Sequence, residues 1–247
     1  MKIRVVFPVA GWDPGVLEQS RVEYATLVGS EHEVTVVAIE KGPPSIESKY
    51  DEALAAPEVI NRICEAEQDG CDAVVVNCFS GPGVGPGREV ARIPVISPGE
   101  ASMHLAGLLG RRFSVISVLE NVVPMIHEVA VLCGLDGRLA SVRSVDIPVL
   151  ELHCDGDRTV AALVEESIEA IVEDHADCVV LGCTGMVGMA EAVERGLADK
   201  GYGVPVIDPL SAALKTARML TEMNLTHSKI AYRYPLSKPI ASTLQDE

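Results

Sequence analysis

The sequence predicts an α/β protein built as two similar halves. Each half is a mainly parallel four-stranded sheet flanked by helices, and a ligand cleft lies between the halves. Three observations carry that expectation. Short Val/Ile runs alternate with longer segments of helical composition along the 247 residues. Aromatic residues are only 4% of a chain that is 48% hydrophobic, so the core is aliphatic, as suits parallel strands buried on both faces. One local pattern also occurs twice, a strand of buried type running into a cysteine: VVVNCFSGPG at 74–83 and VVLGCTGMVG at 179–188.

Taken in order, the first half offers strands at 3–9, 32–39, 72–78 and 93–97, alternating with helices near 15–29, 50–69, 84–91 and 99–110. The second half offers strands at 112–117, 140–147, 177–183 and 204–208, with helices near 121–133, 157–175, 186–200 and 209–223. Eight strands in about 250 residues also suit a closed (β/α)8 barrel. The internal repeat argues against it. GCDAVVVNC (70–78) aligns with HADCVVLGC (175–183), and IPVISPGEASMHLAGLL (93–109) with VPVIDPLSAALKTARML (204–220). Each half thus places its thiol just past its third strand.

The bulk numbers remove several function classes. A net charge of −16 is unsuited to nucleic acid, and no Lys/Arg cluster points to an anionic membrane surface. No apolar stretch reaches the ~18 residues of a transmembrane helix. The start, MKIRVVFPVAG, reads as a first strand, interrupted by Pro8 and Gly11 too soon for a signal peptide. Seven cysteines without a CxxC spacing point to reduced thiols in the cytosol, not to a disulfide framework.

Free cysteine is most often a small buried hydrophobe, and that reading suits Cys64, Cys71, Cys133, Cys154 and Cys178. Cys78 and Cys183 differ because both position and context repeat. Ligands of open α/β sheets bind beyond the carboxyl ends of the strands, where both thiols lie. The glycines that follow let a substrate approach the backbone, and free N–H groups ahead of a helix can hold an oxyanion and lower a thiol's pKa. Ser80 and Thr184 add hydroxyl donors. Two thiols on opposite walls of one cleft suit inversion at an acidic carbon, with a base on one face and an acid on the other. That chemistry requires neither metal nor cofactor.

These motifs, with RFSVISVLENVVPMIHEVA between them, resemble the aspartate/glutamate/hydantoin racemase superfamily, nearest to its hydantoin and allantoin racemase branch. GCTGM at 182–186 is closer to that branch than to the GCTE or GCTH of amino-acid racemases. The resemblance spans the chain to about 223. It implies a cofactor-independent racemase or epimerase acting on a hydantoin, allantoin or related amino-acid derivative; a cytosolic homo-oligomer is expected alongside it. Cys78 and Cys183 would be its acid/base pair, and Phe79, Ser80, Ser117, Val118, Thr184 and Gly185 would hold the substrate. The superfamily equally contains isomerases and decarboxylases of the maleate isomerase and arylmalonate decarboxylase kind, and amino-acid racemases. A non-catalytic protein that closes on a small acid is a further alternative. The fold so implied exchanges one helix per half, giving lobes of 1–98 plus 209–247, and 99–208. One departure bears on the substrate: the branch's Asn-Pro-Asn-Thr stretch is replaced by Phe7-Pro8-Val9-Ala10, which lacks its side-chain donors.

Other features carry less. GPGVGPG (81–87) fails the GxGxxG pattern and lacks the Lys-Ser/Thr end of a P-loop. HCDGD (153–157) looks metal-binding, but Asp155 and Asp157 stand where a helix needs an N-cap. Glu100 and Asp208, at matched strand ends, are expected to cap helices. His104 and His127 are placed near the cleft, and Trp12 at its mouth or on the surface.

Overall fold

The computed structural model describes residues 1–236. Eight strands form two separate four-stranded parallel sheets and not a barrel. The first contains β1 (Lys2–Phe7), β2 (Glu33–Ala38), β3 (Ala73–Val76) and β4 (Val95–Ile96) in the order β2-β1-β3-β4. The second contains β5 (Phe113–Ser117), β6 (Leu139–Ser144), β7 (Cys178–Leu181) and β8 (Val206–Ile207) in the equivalent order β6-β5-β7-β8. The central strands explain the apolar runs. Every residue of Ala73–Val76, Phe113–Ser117 and Cys178–Leu181 is buried, because helices cover both faces.

The helices are α1 (Pro14–Val28), α2 (Lys49–Gln68), α3 (Val84–Val90), α4 (Pro98–Leu109), α5 (Val123–Leu132), α6 (Gly156–Val172), α7 (Ala190–Asp199) and α8 (Pro209–Glu222). Their starts follow side-chain chemistry. Asp13 accepts the Gly15 N–H ahead of α1, with Pro14 at the first helical position. Ser48 accepts the Asp51 N–H, and Asp51 reaches back to the Glu47 N–H, a reciprocal cap on α2. Asp155 caps α6 by accepting from Arg158 N–H at 3.1 Å, so the HCDGD stretch is a helix start. Asp208 caps α8 through Ser211 N–H at 2.7 Å, whereas Glu100 instead pairs with Arg88.

Two helices cross between the sheets. α4 follows β4 of the first sheet but packs on β5 and β7 of the second. α8 follows β8 of the second sheet but packs on β3, β4 and α1. The two crossing helices also pack on each other. They thereby press the sheets together with their carboxyl ends facing a shared crevice. In each sheet the strand order reverses between the two central strands, β1/β3 and β5/β7, which is where an open α/β sheet leaves room for a ligand.

Candidate active site

Both repeated cysteines are the second residue past a central strand, Cys78 after β3 and Cys183 after β7. The strands end two residues earlier than the apolar run suggests, because the chain must leave the ladder to turn. At Cys78 the turn runs through Gly81 and Gly83, with φ of 68° and 75°, before α3 starts at Val84. The glycine-rich stretch is thus a left-handed turn that only glycine enters cheaply. At Cys183 a single 3-10 turn, Thr184–Met186, comes first, and α7 begins only at Ala190.

The two turns touch. Thr184 Oγ1 donates to the Asn77 carbonyl at 3.2 Å, joining the residue before one thiol to the residue after the other. Farther out, Val149 N–H donates to Glu47 at 2.8 Å and Lys49 pairs with Glu128 at 2.6 Å, so loops from the two sheets are linked across the crevice. Between them lies a cavity of about 450 Å³. Cys78, Phe79, Ser80, Ser117, Val118, Cys183, Thr184 and Gly185 all line it. Its remaining wall is largely apolar, with Val122, Met125, Ile126, Val149 and Leu150 from the second half.

Each thiol has its own polar neighbour. Cys78 Sγ lies 3.5 Å from Ser80 Oγ, and Cys183 Sγ accepts the Gly185 N–H at 3.3 Å. The Phe79 carbonyl is fixed by Gly99 N–H at 3.1 Å and Ser97 Oγ at 3.2 Å, which ties the Cys78 turn to the start of α4. A Cβ on Gly99 would fall 2.3 Å from that carbonyl oxygen, so the close approach requires glycine. Ser117 in turn holds the Gly182 carbonyl at 3.3 Å and stands just ahead of Val118.

Burial dominates the thiol electrostatics, contrary to the expectation that helix-end N–H groups would lower these pKa values. Desolvation pushes Cys78 up from the ordinary thiol range and Cys183 up to about 12. The Ser80 hydroxyl and the N–H groups of Ser80 and Gly81 oppose this at Cys78, as Gly185 N–H does at Cys183, but they are outweighed. A charge on Cys78 raises Cys183 further. Ionising one thiol therefore keeps its partner protonated, and the pair can present one base and one acid at a time.

Several lining residues carried no sequence signal. Asn77 Oδ1 is buried without a hydrogen-bond partner, while its amide nitrogen reaches Tyr24 Oη at 3.5 Å. Tyr24 is held neutral, its hydroxyl pushed by burial to about 12. His153, inside the HCDGD stretch, lines the cavity and its Nε2 lies 2.7 Å from the Gly185 carbonyl oxygen. Trp12 does reach the mouth, edge-on to Phe7 at 5.3 Å between ring centroids. Val9 lines the cavity too, but Ala10 does not; its N–H donates to the Pro43 carbonyl. His104 faces a second cavity between α4 and α8, and His127 lines neither.

Comparison with known proteins agrees with this geometry. A family model described as Asp/Glu/Hydantoin racemase matches residues 18–217. The chain is 34% identical to a hydantoin racemase of Pseudomonas sp. (strain NS671), over 100% of its own length and 96% of the relative's. It is 39% identical to a hydantoin racemase of Rhizobium meliloti, with 81% of each chain covered. The structure superposes on allantoin racemase from Klebsiella pneumoniae with a TM-score of 0.89 and 31% identity, covering 99% of this chain and 98% of that one. Doubled strand–cysteine turns, two matched sheets and similarity along the full length have one consequence: the chain belongs to the Asp/Glu/hydantoin racemase family.

Proposed function

We propose that the protein is a cofactor-independent racemase of 5-substituted hydantoins or of allantoin, with Cys78 and Cys183 as its two acid/base groups. The observation that carries this reading is that two thiols at matched strand ends border one cavity. As a thiolate, one takes the proton from the ring carbon beside the carbonyl; as a thiol, the other gives its proton to the opposite face. The product leaves with inverted configuration, and the two sulfurs have exchanged roles. Negative charge that develops on the carbonyl oxygen is met by N–H groups of the two turns that no carbonyl or sulfur already holds, while Ser80 supports Cys78 and Thr184 ties the turns together. Phe79, Ser117, Val118 and Gly185 complete the walls that position the ring.

The cavity favours a neutral ring over a free dicarboxylic amino acid. Among the described residues, no lysine or arginine lines it, and the wall at Val122–Ile126 and Val149–Leu150 is apolar. Phe7, Val9 and Trp12 extend that apolar surface to the mouth, where an aliphatic or aromatic ring substituent gains by burial.

The proposal also takes the chain as lobes of 1–98 plus 209–247 and of 99–208, supported by the crossed packing of α4 and α8; residues 237–247 lie outside the described part. It takes the protein to be a cytosolic homo-oligomer. Exposed Leu108 and Leu132 near the ends of α4 and α5 support a self-association surface, and sedimentation of the purified chain tests it.

The test of function is optical. Single enantiomers of 5-substituted hydantoins, allantoin, aspartate and glutamate are followed by polarimetry in D₂O. The proposal expects loss of rotation of a hydantoin or of allantoin, coupled to deuterium entering at the ring carbon. Racemisation of the amino acids alone would overturn the substrate, release of carbon dioxide from an arylmalonate would favour a decarboxylase, and ligand-raised stability without exchange would favour a binding protein.

A further inference from the structure

Away from the thiol cavity, three side chains of different ligand type converge among the described residues. Glu100 and His104 stand four apart on one face of α4, and Cys133 closes the end of α5. A carboxylate oxygen, a ring nitrogen and the Cys133 sulfur all lie within 4.8 Å of one another. A zinc ion at about 2.0–2.3 Å from each ligand separates tetrahedral ligand atoms by roughly 3.3–3.8 Å, so side-chain rotation of about an ångström closes the set.

The surroundings are those of a supported site. Arg88 binds Glu100 through Oε2, leaving the other carboxylate oxygen for an ion. Arg88 is itself fixed by the Val95 carbonyl at 3.0 Å and Tyr232 Oη at 3.2 Å, so the carboxylate is oriented from behind. Glu100 and His104 border the second cavity, about 700 Å³, and His104 is exposed, which gives an ion a path in and room for a water ligand. One carboxylate, shared with Arg88, and one thiolate offset most of a double positive charge. The mixed oxygen, nitrogen and sulfur set selects zinc-like ions over magnesium or calcium.

We propose that Glu100, His104 and Cys133 bind one divalent transition-metal ion of the zinc class, with water as fourth ligand, fastening α4 to α5. Binding releases the thiol proton and forms the metal–sulfur bond without any redox change. Glu100 follows Gly99, whose N–H holds the Phe79 carbonyl beside Cys78, so the ion also stiffens the helix start on which the Cys78 turn rests. The site does not depend on the racemase reading.

The test uses the full chain carrying Cys78→Ala and Cys183→Ala, so that the cavity thiols cannot bind the probe. After chelator treatment it is titrated with Co²⁺ and then with Zn²⁺. The expected result is one Co²⁺ per chain with a thiolate-to-cobalt charge-transfer band that Zn²⁺ abolishes. His104→Ala and Cys133→Ser should each lose the bound equivalent and the band, whereas Cys154→Ser, at an exposed cysteine, keeps both. Absence of the band at saturating Co²⁺, or its persistence in His104→Ala, would overturn the site. Should the doubly substituted background fail to fold, zinc stoichiometry of the otherwise unaltered chain against its His104→Ala form decides: loss of one equivalent supports the site, and no loss refutes it.

Discussion

Ser97 and Asp208 occupy matched positions, each opening the fourth helix of its half, and each secures the turn that follows a cysteine. They do so with opposite hydrogen-bond polarity. Ser97 donates to the Phe79 carbonyl, while Asp208 accepts the Gly188 N–H at 3.3 Å. Two positions farther on, Gly99 lets the Phe79 carbonyl come close, whereas its counterpart Leu210 is a fully buried core side chain. The halves repeat in topology and in thiol position, but the supports of the two thiols were built separately. Duplicated architecture puts both sulfurs beside one cavity; divergent supports allow their proton affinities to be set apart.

The largest test of that comparison removes the sulfurs. On the proposed reaction, Cys78→Ala or Cys183→Ala lowers kcat for racemisation of both enantiomers by about 10²–10⁴, the usual worth of a positioned acid or base, with circular dichroism unchanged. The serine forms sharpen it: if each thiol serves one face, Cys78→Ser and Cys183→Ser suppress deuterium uptake from opposite enantiomers.

The next test separates packing from positioning. Leu210→Ala removes a side chain with no exposed surface and is expected to cost about 2–5 kcal/mol in denaturant unfolding. Gly99→Ala is expected to cost roughly 1–3 kcal/mol by overpacking. It should nevertheless lower kcat more than Leu210→Ala does, because the clash falls on the carbonyl next to Cys78. Equal effects of the two on kcat would deny that the supports differ in role.

Acidity supplies a third. Burial pushes the Cys183 pKa in the folded protein up to about 12, above its unfolded value of about 8.5. A folded pKa that is raised means stability is fully present below the unfolded value and is lost as pH climbs toward the folded one. Urea unfolding should therefore show falling stability between about pH 9 and 12, less steeply in Cys183→Ala. By the same sign kcat/KM should rise with pH from neutrality, since burial keeps the base mostly protonated there.

The smallest effects lie in the supports. Ser80→Ala removes one hydrogen bond that favours the Cys78 thiolate, worth about 1 kcal/mol or roughly fivefold in kcat/KM, and moves its pH profile to higher pH. Asp208→Asn keeps a competent helix cap and discards a carboxylate whose pKa burial raises, so its effect on stability should stay within about 1 kcal/mol.

Much of this was legible in the residues themselves. Val74–Val76 and Val179–Leu181 read as strands covered on both faces, and their duplication pointed to two halves. What followed Cys78 and Cys183 marked them as unlike Cys178, which faces the core. His153, Asn77 and Tyr24 were not legible, since a histidine in a capping loop or an asparagine at a strand end looks the same whether or not a cavity lies beside it. The thiol pKa shifts run opposite to the sequence expectation for a related reason. Sequence showed the donors that favour a thiolate but not the depth of burial that opposes them.

The sequence alone determined which segments become strands, where the chain must turn, and that the same thiol-bearing turn is made twice, because periodicity, apolar runs and glycine placement act over a few residues. The exchange of α4 and α8 and the shared cleft were expectations of the family resemblance that only tertiary packing could realise, and only that packing brought Glu100, His104 and Cys133 together. Those outcomes depend on how distant segments share buried surface, and no local pattern encodes the burial that in turn sets the charge of a thiol.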